Sequence, residues 1–87
     1  MIKLLYTKKF LKSSKKLPKV QQIKLANLIE TLQAQPYSPL LHTKPLSGQL
    51  TGFYSFRINR EYRVIFQFIS PTEIKLIETA HRKEIYR

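Results

Sequence analysis

The stretch from Gly52 to Phe68, GFYSFRINREYRVIFQF, constrains this chain more than any other. Two runs rich in aromatic and β-branched residues flank Asn59-Arg60-Glu61, the pattern of a β-hairpin. Successive strand side chains point to opposite faces. Tyr54, Phe56 and Ile58 therefore share one face, and Phe53, Ser55 and Arg57 the other. Beyond the turn the apolar face continues as Tyr62, Val64, Phe66 and Phe68, with Arg63, Ile65 and Gln67 opposite. Pairing Ile58 with Tyr62 sets Arg57 directly across from Arg63. Like charges opposed in this way destabilise a sheet, on the order of 0.2–1 kcal/mol. A fold gains nothing from that arrangement, whereas an anion site does.

The next apolar run, Ile74 to His81, extends the scheme as a third strand. Simple alternation puts Lys75, Thr79 and His81 on the face of Arg57 and Arg63, and Ile74, Leu76 and Ala80 on the aromatic face. Glu78 falls on the wrong side for this scheme and is expected at a sheet edge or paired. The tail His81-Arg82-Lys83-Glu84-Ile85-Tyr86-Arg87 adds cation and a terminal aromatic to the same surface.

Eighty-seven residues make one small domain, because chains of this size bury only about 60% of the surface they expose unfolded. A hydrophobic content of 43% suffices for a single core, so the chain is globular despite its charge. The absence of cysteine removes disulfides, thiolate metal sites and thiol nucleophiles, and suits a reducing compartment. Cytoplasm is the expected location. The opening Met-Ile-Lys-Leu-Leu-Tyr is too short for a signal h-region, and no apolar run approaches a membrane span.

Sixteen Lys and Arg against five acids give a net charge of +11, which points to nucleic acid as the partner class. Taken singly, Lys8, Lys9, Lys12, Lys15 and Lys16 read as the solvated face of a helix. Their sum does not, since so much uncompensated charge repels itself and calls for a counterpart. An anionic lipid surface is the weaker option, because the helix needs its apolar side for the core.

Ile2 to Tyr6 reads as a short strand and Thr7 as the N-cap of a following helix. Phe10, Leu11, Ser14 and Leu17 recur at helical spacing, and Pro18 opens the next helix. From Lys19 to Ala34 two stripes are visible. Leu25, Leu28, Ile29 and Leu32 suit a sheet; Val20, Ile23 and Ala26 suit a neighbouring helix. Gln35 to Thr51, with Pro36, Pro39, Pro45 and Gly48, is an extended connection long enough to be either functional or well packed. Ser70-Pro71-Thr72-Glu73 is the last turn. The order is βααβββ in a single domain spanning residues 1–87. It predicts an α+β fold, a helical hairpin packed on a twisted, mostly antiparallel four-stranded sheet.

The element order, the block GFYSFRINREYRVIF, the preceding KPLSGQLTG and the ending AHRKEIY together resemble the RelE/ParE superfamily of toxin–antitoxin toxins over nearly the whole chain. The hairpin block and the segment before it are most similar to the YoeB branch, whereas HRKEIY looks like the RelE branch. The resemblance implies a RelE-like fold and a cytoplasmic toxin that cleaves mRNA in the ribosomal A site and is held inactive by a cognate antitoxin. By the same resemblance Arg57 stands at a catalytic basic position on the first hairpin strand. Arg63 matches the arginine that binds the scissile phosphate, Arg82 the arginine near the end of the last strand, and Tyr86 the terminal aromatic that stacks on a base. Lys44 stands where the YoeB branch carries a carboxylate general base. Ser55 replaces a basic residue of the RelE branch, and His81 is a candidate for acid–base work.

The chemistry is consistent on its own terms. Cleavage of RNA without a metal needs a base for the 2′-hydroxyl, counter-charge for the phosphorane and an acid for the leaving 5′-oxygen. Five acids and two histidines with no ligand spacing argue against a metal site, and no cofactor is expected. Guanidinium forks supply the counter-charge, since they stay protonated and bind phosphate bidentately. With the roles that the resemblance implies, the catalytic candidates are Arg57, Arg63, His81, Arg82 and Tyr86. Lys8, Lys9, Lys12, Lys15, Lys16, Lys44 and Ser55 are the RNA-binding candidates. Three bland readings compete: Arg57 and Arg63 paired to Glu61 or Glu78, His81 as a hydrogen-bonded strand-end residue, and Tyr86 as core. Two other functions compete as well, a ParE-like inhibitor of DNA gyrase and a non-catalytic basic nucleic-acid-binding module. The expected partners are an acidic antitoxin, the ribosome and mRNA, with no membrane. Operator binding by the antitoxin complex is a further expectation.

Overall fold

The computed structural model describes residues 1–85, so Tyr86 lies outside the described residues. The elements are β1 (Lys3–Tyr6), α1 (Lys8–Ser14), α2 (Lys19–Ala34), β2 (Lys44–Pro45), β3 (Tyr54–Arg57), β4 (Tyr62–Ser70), β5 (Glu73–His81) and α3 (Arg82–Ile85). The strands form one sheet in the spatial order β1-β5-β4-β3-β2, parallel between β1 and β5 and antiparallel elsewhere. The α+β class holds, but the sheet has five strands rather than the expected four. Among the described residues no helix is long and apolar enough to cross a membrane.

Thr7 does more than cap α1. Its hydroxyl oxygen accepts the Phe10 N–H at 3.0 Å, satisfying one of the donors that a helix start leaves open. The same hydroxyl donates toward the carbonyls of Leu76 and Ile77, at 2.8 and 2.9 Å. Those carbonyls sit on the edge of β5 where β1 stops, since Tyr6 pairs with Leu76 and no further. Ser13 continues the cover by accepting the Thr79 N–H at 2.9 Å. A bare strand edge is a template for unwanted pairing, and α1 closes this one with hydroxyls. Thr7→Ala should therefore lower stability by about 1–2 kcal/mol, while Thr7→Ser should recover most of it. Urea unfolding reads this as a lower midpoint at unchanged slope; an unmoved midpoint would contradict the capping role.

The core lies between the helices and one face of the sheet. Phe10, Leu17, Leu25, Leu28 and Leu32 meet Phe56, Ile58, Val64, Phe66, Ile74 and Leu76. The aromatic face read from the hairpin is thus the helix-covered one. The second stripe of α2 does not meet a neighbouring helix: Val20 and Ile23 are 71% and 60% exposed. The reason is that α1 is only seven residues long and packs its apolar side against β5. The Gln22 side chain donates to the Lys15 and Leu17 carbonyls, fixing the linker before α2. The two helices lie on the sheet and share one core, but the second stripe of α2 stays exposed instead of packing on α1.

The proline-rich connection is packed rather than loose. Leu41 and Leu46 are buried, two short 3-10 turns cover 39–41 and 48–50, and β2 joins the sheet with Lys44 opposite Ser55. His42, in the same connection, is exposed. Gly52 enters β3 at φ +95°, a left-handed value that glycine adopts at little cost.

The register of β3 and β4 is the one read from the sequence, with Arg57 opposite Arg63. Between β4 and β5 it is not regular. Phe66 pairs with Leu76 but Ile65 pairs with Glu78, so Ile77 is an extra residue on β5, a β-bulge. One inserted residue reverses the facing of everything beyond it. Lys75, before the bulge and opposite Gln67, keeps the arginine face. Thr79 and His81 move to the helix side opposite Val64 and Tyr62, while Glu78 and Ala80 move to the arginine side. The expected placement of Thr79, His81 and Ala80 is corrected accordingly.

Candidate functional site

The site is built on the turn between β3 and β4. The Asn59 side-chain oxygen accepts the N–H groups of Glu61 and Tyr62 at 2.9 and 2.8 Å, an Asx-type closure that leaves the turn carbonyls facing one way. The Arg63 Nη1 takes them up, donating to the carbonyls of Asn59 at 2.8 Å, Arg60 at 3.1 Å and Tyr62 at 3.3 Å. Arg63 is only 7% exposed, and a guanidinium so enclosed needs acceptors because it cannot shed its proton. Here backbone carbonyls serve, so the charge is held in place without being neutralised. Among the described residues Nε and Nη2 meet no acceptor, which leaves their donors for another.

Arg57 stands across from it, exposed and without a hydrogen bond or ion pair among the described residues. The carboxylates that could have neutralised the pair are engaged elsewhere. Glu78 pairs with Lys9 at 3.4 Å, as its awkward position on β5 had suggested, and Glu61 approaches His81 Nε2 at 3.9 Å. Two arginines paired across neighbouring strands, with no counter-ion among the described residues, make this part of the sheet positive, and phosphate is the ligand that guanidinium forks suit.

The rest of the face is less cationic than expected. In the row next to the arginines, Ser55, Ile65 and Glu78 are in register, and Ser55 and Ile65 are buried. Ser55 is 1% exposed and its hydroxyl has no hydrogen-bond partner among the described residues, so it is not presented at the surface as expected of an RNA-binding residue. A groove of about 980 Å³ runs beside it, lined by Lys44, Leu46, Gln49, Ile65, Ala80 and Glu84 among others. Ala80 is the register partner of Arg63, so the groove ends against the arginine row.

A second cleft, about 350 Å³, lies between α1 and the end of β5, where Lys9, Lys12, Lys16, Tyr62 and His81 line it. Lys8 on α1 and Lys15 just after it are exposed but line neither cleft. Arg82, the exposed first residue of α3, is tied through its N–H to the Glu61 carbonyl at 2.7 Å. The fold thus unites Arg57 and Arg63, sets Arg82 at the turn beside them, and places His81 with the lysines on the other face. Asn59 and Glu61, which build and brace the turn, were not among the sequence candidates; an Asn two residues before Glu61 was the available signal. Among the described residues no three His, Asp or Glu side chains gather as metal ligands would.

The family model of HigB-like toxins, described as RelE-like toxins of the type II toxin–antitoxin system HigB, matches residues 6–80. The chain belongs to this family of RelE-like toxins. A curated Toxin YoeB from Mycobacterium bovis is 34% identical to the toxin over 44 residues, 51% of this chain and 52% of the relative. The match thus spans about half the length of that protein. Among solved structures, YafQ from Escherichia coli superposes with a TM-score of 0.79 at 16% identity, covering 100% of both chains. The toxin–antitoxin complex RelBE2 from Mycobacterium tuberculosis gives 0.76 at 23% identity, covering 93% of this chain and 98% of that one. Those two likenesses show that the toxin has the fold of its family.

Proposed function

We propose that this toxin is a metal-independent endoribonuclease that cuts mRNA on the ribosome. The observation that carries this reading is the opposed Arg57–Arg63 pair, unneutralised by any carboxylate among the described residues. A 2′-hydroxyl attacks its neighbouring phosphorus, the bond to the 5′-oxygen breaks, and the products are a 2′,3′-cyclic phosphate and a 5′-hydroxyl. Negative charge builds on the phosphorane oxygens in between. Arg63, fixed by carbonyls before substrate arrives, and Arg57, free to close over it, stabilise that charge without reorganisation of the protein. The exposed lysines Lys8, Lys9, Lys12, Lys15 and Lys16 of α1 and its linker strengthen attraction to the nucleic-acid backbone, and that contribution weakens as salt rises. Lys44 in the groove, Arg82 at the turn and Tyr86 at the terminus serve the flanking nucleotides in this reading.

The partner that restrains it is an acidic antitoxin. The solved toxin–antitoxin complex among its structural relatives supports such a partner, as does the charge of +11. The exposed stripe Val20 and Ile23 on α2 offers the apolar landing that charge alone does not give. Primer extension on mRNA from cells expressing the toxin tests the enzymatic reading. Cuts in phase with codons are expected; DNA breaks without mRNA cuts would instead assign a gyrase-directed toxin, and neither would leave a basic binding module.

A further inference from the structure

His81 is the residue that sequence reading left between roles, and its surroundings decide the matter. It ends β5 opposite Tyr62, with the two rings edge to face at 5.5 Å, on the face away from Arg57 and Arg63. Its Nδ1 accepts the Lys83 N–H at 3.2 Å. Lys83 is the second residue of α3, so this is an N-cap bond made by an imidazole instead of the usual hydroxyl or amide. Its Nε2 lies 3.9 Å from the Glu61 carboxylate, in the turn whose main-chain carbonyl takes the Arg82 N–H at 2.7 Å. That turn is also the one whose carbonyls anchor Arg63. Two charged side chains therefore share one scaffold: Arg63 directly, and Arg82 through the start of α3.

We infer that His81 is a positioning residue that caps α3 and so holds Arg82 against the turn that anchors Arg63. It does not exchange the proton of the reaction. As a cap, Nδ1 must carry no proton. Protonated imidazole has two donors and no acceptor, so acidification removes the Lys83 bond and loosens α3. The charges around the ring come from every element packed on it. They are Glu61 of the turn, Glu78 of β5 and Glu84 of α3, together with Lys9 and Lys12 of α1 and Lys16 just after it.

The role in activity rests on the nuclease reading, whereas the cap does not, and the test separates them. Amide hydrogen exchange at Arg82 and Lys83 is measured for the full chain, as protection relative to intrinsic rates, at about pH 8 and about pH 5. Cleavage of mRNA is measured in parallel. Wild type should lose about tenfold in protection at the lower pH, a cap being about that strong. His81→Asn, whose amide oxygen can make the same bond but cannot titrate, should stay protected at both and cut within about threefold of wild type. His81→Ala should be unprotected at both and cut about tenfold more slowly. Loss of cutting in His81→Asn with its amides still protected would make His81 a proton-transfer group and overturn the inference. Unprotected amides in wild type would overturn it as well. If wild type does not cut at all, the nuclease reading fails and the exchange data alone judge the cap.

Discussion

An Arg57→Ala variant is expected to lose at least about a hundredfold in mRNA cutting while unfolding at the same urea concentration as wild type, or slightly higher. The two halves of that result follow from one fact. The Arg57 side chain is exposed and makes no hydrogen bond or ion pair among the described residues, so truncating it costs the structure little. It also removes one of two like charges paired across the strands, a juxtaposition that costs roughly 0.2–1 kcal/mol. Arg63→Ala differs in kind. It should lose cutting to a similar degree and stability too, because three turn carbonyls then lack their donor. Cutting by Arg57→Ala at the wild-type rate would remove Arg57 from the reaction.

The second large effect is on the fold. Phe56→Ala should cost about 3–5 kcal/mol, the range for emptying an aromatic site in a close-packed core. Phe56 is fully buried, sits 6.0 Å from the Phe66 ring, and lies on β3 one residue before Arg57. For a small domain whose whole stability is of the order of 5–15 kcal/mol, such a loss leaves little margin. Because the cavity would open beneath the strand that carries Arg57, cutting should fall as temperature rises well before it does in wild type. Urea and thermal unfolding read the stability directly. A loss below about 1 kcal/mol would mean that the core collapses around the gap or that Phe56 is less enclosed than it is here.

Much of this was legible in the chain because the hairpin states its own register. Asn59-Arg60-Glu61 is a turn with a mechanism, and strict alternation on either side leaves only one pairing that buries Phe56, Val64 and Phe66 together. The bulge on β5 was harder. Adjacent Leu76 and Ile77 break the alternation, but a broken pattern does not say which residue is extra; the pairing partner settles that, and it lies on another strand. The facing of Thr79, His81 and Ala80 turns on this one residue. The burial of Arg63 was unreadable for a different one. Its acceptors are backbone carbonyls, which every residue possesses, so no side-chain pattern announces them. The strand Lys44–Pro45 is too short to show a period, and the exposure of Val20 and Ile23 depends on where α1 ends and packs.

The central claim is that Arg57 and Arg63 grip the same phosphate. Titration of the toxin with a short RNA whose 2′-hydroxyls are methylated, so that it binds but cannot be cut, tests it through the Nε–H resonances of both arginines. Both signals should move together, with one apparent Kd, and both should return when salt is raised. Movement of lysine signals on α1 alone, or of one arginine without the other, would contradict a shared phosphate site.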